Sequence, residues 1–285
     1  MYAADNAGIN IALSGTNTIN KYRASNNMMI RLTNNTVDSD MTLTVTTTEA
    51  DKLMQVADAN VTLILNASSG TPARKIADSA MSLKALTITD GTLDTDSSND
   101  YGLTVEGHTE IGPATGSADQ ATLTCNASAI SLGSGITSQY GLIVQQGGTF
   151  VGGTGTHTIG SIKIVNSANA KCALTSGVTT LNGEHASDNY IFTIEGANGD
   201  DNFNHSSGTV TITRASDTRI RNAGAALVLN NLIINHASAD ITLASNGLTC
   251  AGGLTVTAGG FGTGADKALT VTGSTTVSNG TLTLN

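Results

Sequence analysis

The feature that most constrains this chain is a short word, apolar–x–apolar, most often Leu-Thr-Val, that recurs along most of its length. It stands at Leu86-Thr87-Ile88, Leu103-Thr104-Val105, Leu123-Thr124-Cys125, Leu142-Ile143-Val144 and Ile162-Lys163-Ile164. It returns at Phe192-Thr193-Ile194, Val210-Thr211-Ile212, Leu227-Val228-Leu229, Leu248-Thr249-Cys250 and Leu269-Thr270-Val271. Successive words lie 17, 20, 19, 20, 30, 18, 17, 21 and 21 residues apart, and Val178-Thr179-Thr180-Leu181 fills the long gap. Self-similarity at such a period marks a repeat architecture, in which one unit stacks on the next. Alternation places Leu and Val on one face and Thr on the other, the two-residue period of a half-buried strand. Branching at Cβ restricts χ1 and suits Val, Ile and Thr to a pleated surface. Helical periodicity is nearly absent; Thr48–Gln55 alone suggests a turn or two of surface helix.

A strand, a bend, a second strand and a loop amount to about 20 residues. Stacked about 4.8 Å apart, such units would pair each word with the same word above and below. Their inward Leu, Ile and Val would then form continuous columns. The expectation is an all-β, single-stranded parallel β-solenoid (β-helix) of about 13 coils of roughly 20 residues. Residues 81–285 read as the regular solenoid. Residues 1–80 read as irregular N-terminal coils, or as a cap or docking region, because most basic residues, including Lys21, Arg23, Arg31, Lys52, Arg74, Lys75 and Lys84, lie before residue 85. The chain stops within a strand pattern at Thr281-Leu282-Thr283-Leu284, so the expectation is that another subunit, or more chain, covers that end.

These glycine- and threonine-rich coils resemble the single-chain β-helices of phage tail and capsid fibres, of bacterial adhesins and of some polysaccharide lyases. The resemblance covers roughly residues 80–285 well and 9–80 loosely, and it is one of pattern. It implies a structural and adhesive part in a virion: a fibre, tail or capsid appendage that partners other subunits, as a homo-oligomer, and meets a host-surface glycan or receptor. The alternatives it leaves open are a secreted adhesin or surface-layer segment, at the cell surface, and a polysaccharide-cleaving enzyme.

Composition narrows these classes. Charged residues make up only 12%, against about 25% in an ordinary domain, so Thr, Ser, Asn and Gly must wet the surface. A net charge of −9 supplies no basic footprint for nucleic acid. No apolar run approaches the roughly 20 residues that cross a bilayer, which speaks against membrane insertion, and no secretory signal is visible at the start. Cys125, Cys172 and Cys250 are widely spaced, with no disulfide framework or metal clip, and read as small buried hydrophobes.

Candidate chemistry is sparse. Asp94, Asp96 and Asp100 place oxygens at alternating positions as a Ca²⁺ loop does, without the turn glycine or the twelfth-position Glu of an EF-hand. Asp200 and Asp201 sit in a segment, Gly196–Asn204, similar to one calcium-binding nonapeptide, with Ala in place of its second glycine and no tandem copy. For both segments a solvated loop is the stronger reading, calcium the weaker, and no other cofactor is expected. The densest polar group is Glu184, His185, Asp188, Glu195, Asp200 and Asp201. A glycosidase needs two carboxylates across the scissile bond, so a cleaving enzyme would use Glu195 with Asp188 or Asp201. No nucleophile elbow, phosphate loop or metal-binding histidine pair is present, and the chain is read as non-enzymatic, with no catalytic residue assigned. Outward Thr columns also raise ice binding, which the uneven intervals disfavour.

Overall fold

In a computed structural model the chain is described at residues 9–11, 15–19, 30–32, 41–45, 52–66, 73–76, 79–113, 121–185 and 187–285. It is all-β, 56% strand and 2% helix, and its ladders are parallel throughout. Parallel neighbours need a long crossover. Here the crossover is the remainder of a coil, and the chain winds into a β-solenoid.

Each regular coil has three strands. The first ladder joins nine of them, from Ile9–Ile11 through Ala121–Thr124 and Gly148–Val151 to Phe203–Asn204, and so marks nine coils. The second runs from the start of Met81–Asp94 through Leu103–Val105, Ile130–Leu132, His157–Ile159 and Val178–Leu181 to Thr275–Thr283. The third includes Thr109–Ile111, Leu142–Val144, Ile162–Ile164, Tyr190–Ile194 and Thr218–Asn222. A short ladder of Leu227–Leu229, Leu248–Cys250 and Leu269–Val271 serves the later coils.

Three expectations need correction. The coils are fewer and longer than 13 of roughly 20 residues: first-ladder partners lie 19 residues apart at Arg74 and Leu93 but 31 apart at Cys172 and Phe203. Like words pair with like words in only part of the stack: Leu142-Ile143-Val144 pairs with Ile162-Lys163-Ile164, and Leu227-Val228-Leu229 with Leu248-Thr249-Cys250, whereas elsewhere a three-stranded coil deals them to different ladders. Leu103 partners Met81 and Ile130, not Leu86 or Leu123. Third, Lys52–Gln55 is strand, within Lys52–Asn66, and not surface helix. The described strands before residue 80 enter the same ladders as those after it; Lys21 and Arg23 lie outside the described residues.

Alternation places the core. In Leu103–Val105 the Leu and Val are buried and Thr104 is exposed. In the second ladder the inward column reads Met81, Leu103, Ile130, His157, Thr179, Val210, Leu232 and Leu254. Its outward row reads Ser82, Thr104, Ser131, Thr158, Thr180, Thr211, Ile233, Thr255 and Thr276: hydroxyls in all coils but one, and no charge. The facing row of the third ladder is mixed, with Glu110, Ile143, Lys163, Thr193 and Arg221. All three cysteines are fully buried and free, as their place in the strand pattern implies. Burial pushes the Cys172 thiol up to about 12 and the Cys250 thiol up to about 11.

Candidate functional site

The longest coil holds most of the described charged contacts. After the strand Val178–Leu181, the chain makes a tight reversal before Tyr190–Ile194. The N–H groups of Asp188 and Asn189 both donate to the His185 carbonyl, at 3.1 and 2.7 Å, and the His185 N–H donates to the Tyr190 carbonyl at 3.1 Å. Asn189 adopts φ 54°, a conformation Asn tolerates better than most residues. This reversal swings His185 and Asp188 over Tyr140, which enters from the corner before Leu142–Val144.

The Tyr140 and His185 rings stack with centroids 4.6 Å apart and planes 3° from parallel. Asp188 Oδ2 lies 3.1 Å from His185 Nδ1 and accepts from the Tyr140 hydroxyl at 3.4 Å. Burial, then the neighbouring Asp188 carboxylate, push the Tyr140 phenol well above its ordinary range. Lys163 Nζ lies 5.8 Å from the Tyr140 ring centroid and pairs with Glu195 Oε1 at 2.7 Å. Glu184 is buried, and its Oε1 meets Arg214 Nη2 at 2.7 Å. Arg219 donates to the Asp188 carbonyl at 2.6 Å, and its guanidinium carbon sits 4.9 Å from the Tyr190 centroid.

The structure therefore brings Glu184, His185 and Asp188 together in one corner, as their sequence density suggests. Glu195 is tied to Lys163 and Glu184 to Arg214, so each is charge-paired rather than facing a second carboxylate. Such an arrangement neutralises buried charge and stiffens a long connection. Segment Gly196–Asn204 is no nonapeptide loop: it folds into the short helix Ala197–Asp201 and the strand Phe203–Asn204. Asp201 is exposed, and the Asp200 side chain lies outside what the structure describes.

The other acidic segment is a hydrogen-bonded loop. Asp94 Oδ1 accepts from the Asp96 N–H and from Asn126 Nδ2, both at 2.7 Å. Asp96 Oδ2 accepts from Asn99 Nδ2 at 2.8 Å, and Asp100 Oδ1 from the Ala127 N–H at 3.0 Å. These carboxylates dock the loop onto the next coil. Among the described residues no three His, Cys, Asp or Glu side chains gather as a metal group.

A groove of about 270 Å³ opens beside the tight reversal, lined by Asn189, Asp217, Thr218, Arg219, Asp240 and Thr242. Sequence reading missed it, together with Tyr140, Lys163 and Arg214. These residues come from different coils, and no local motif links them. No protein family model matches this chain, and no curated protein and no solved structure matches it either.

Proposed function

We propose that this chain is a non-enzymatic structural and adhesive protein, a β-solenoid segment of a virion fibre, tail or capsid appendage of a phage, working in assembly with other subunits. One observation carries the reading: the register of the first ladder runs unbroken through nine coils although coil length varies from 19 to 31 residues. Inserted residues are absorbed at corners, which leaves a continuous apolar spine with variable side loops. That is the mechanical plan of a stiff rod that displays contact surfaces. The ion-paired state of Glu184 and Glu195 supports a load-carrying corner over a hydrolytic one.

The test is immunogold electron microscopy with antibodies raised against the purified chain, applied to particles and cells of the source culture. Gold on tails, fibres or capsid appendages is expected. Gold confined to the cell envelope would overturn the virion assignment in favour of a surface adhesin.

A further inference from the structure

We infer that the groove bounded by Asn189, Asp217, Thr218, Arg219, Asp240 and Thr242 is a binding site for one neutral sugar unit of a glycan. This rests on the adhesive reading above and gives it an address. The volume, about 270 Å³, lies just below the roughly 300 Å³ at which ligand pockets begin, and suits one ring better than a long chain.

The lining carries the chemistry. None of its six side chains is aliphatic or aromatic; its apolar surface is that of Thr methyls and the Arg219 stem, which suits the C–H face of a sugar ring better than a hydrophobic peptide anchor. Carboxylates accept from hydroxyls, whereas guanidinium and amide groups donate, and a polyhydroxylated ring offers both kinds of partner. Two aspartates against one arginine leave the rim net negative, which disfavours acidic sugars and other anions.

Several of these groups are held in place before any ligand arrives. Asp217 Oδ1 accepts from the Asp240 N–H at 2.9 Å, across one coil step. Arg219 is clamped between the Asp188 carbonyl, at 2.6 Å, and the Tyr190 ring. The Thr218 hydroxyl donates to the Asn189 carbonyl at 3.1 Å. The Asp240 carboxylate lies directly over Gly260, where a Cβ would collide with that side chain and meet no other group closely. In the next coil the position that partners Thr242 is Gly262, where a Cβ would make only ordinary contacts, 3.8 Å to Thr242 Cγ2 and 3.9 Å to the Thr283 carbonyl oxygen. Pre-arranged partners lower the ordering cost of binding.

Gly260→Ala is therefore a lever: it displaces the Asp240 carboxylate by moving only the far end of a flexible side chain. The experiment is saturation-transfer NMR with the full chain against glucose, galactose, rhamnose and N-acetylglucosamine at millimolar concentration, with sialic acid as the anionic comparator. At least one neutral sugar is expected to bind, and Asp217→Asn and Gly260→Ala each to weaken it tenfold or more. Thr104→Ala, on the hydroxyl row of another face, should bind as the parent does. Circular dichroism melts check that each variant folds, and Asp217→Asn decides alone if Gly260→Ala does not. No binding of a neutral sugar, or a preference for sialic acid, overturns the site. Binding that survives both variants also overturns the groove while leaving the adhesive reading standing. Binding lost in both, with gold absent from virions, would keep the groove and end the virion assignment.

Discussion

His157 shows how strictly the solenoid interior is specified at single positions. It occupies an inward site between Ile130 and Thr179 and is 0% exposed, and the polar contact offered to its ring is a weak one from the Gly152 backbone. Phe150 meets it edge-on, with ring centroids 5.9 Å apart. Burial lowers its pKa to about 4. Unfolded histidine titrates near 6.5. Between those values the unfolded chain binds a proton that the folded chain refuses, so stability falls as pH drops from about 6.5 to about 4 and levels off below. The loss is on the order of 3 kcal/mol. Urea midpoints of the parent should drop across that window, and His157→Leu should flatten the drop. An equal drop in both would show that His157 is not the group responsible.

At the scale of strands, burial depends on whether a word is stacked on both sides and not on its spelling. Leu103-Thr-Val105 and Leu269-Thr-Val271 differ in this way: the first is stacked between Met81–Leu83 and Ile130–Leu132, whereas the second pairs on one side only, with Leu248–Cys250, whose own two-sided stacking leaves Leu248 and Cys250 buried. Leu103 is fully buried and Leu269 half-buried. Leu103→Asp places an uncompensated charge in the core and should cost on the order of 4 kcal/mol, while Leu269→Asp should cost about 1 kcal/mol. Urea denaturation followed by circular dichroism measures both, and equal costs would contradict the register. Strand words were legible because Leu, Val and Thr alternate in them. Other strands were not, since Thr109–Ile111, Gly148–Val151 and His157–Ile159 put Thr, Gly or His where an apolar residue would complete the word. His185 and Asp188 were legible as neighbours in sequence. Tyr140, Lys163 and Arg219 were not, because only the stacking of coils carries them to the same corner.

For the whole molecule, three-stranded coils explain both the ordered spine and the uneven surface. One face presents hydroxyls from Ser82 to Thr276, while charge gathers at the corner of Tyr140, Glu184 and Arg219 and at the sugar groove beside it. The account depends on register, and engineered cysteine pairs report register directly. Parallel neighbours about 4.8 Å apart fall within the Cα separation a disulfide spans, about 4.4–6.8 Å. Thr158 and Thr180 are partners across the second ladder, whereas Thr104 and Thr124, equivalent positions of successive words, belong to different ladders. Mild oxidation followed by mass spectrometry should find the cross-link in Thr158→Cys/Thr180→Cys and none in Thr104→Cys/Thr124→Cys. The reverse result would mean that Leu103-Thr104-Val105 stacks on Leu123-Thr124-Cys125, and the three-stranded coil would be wrong.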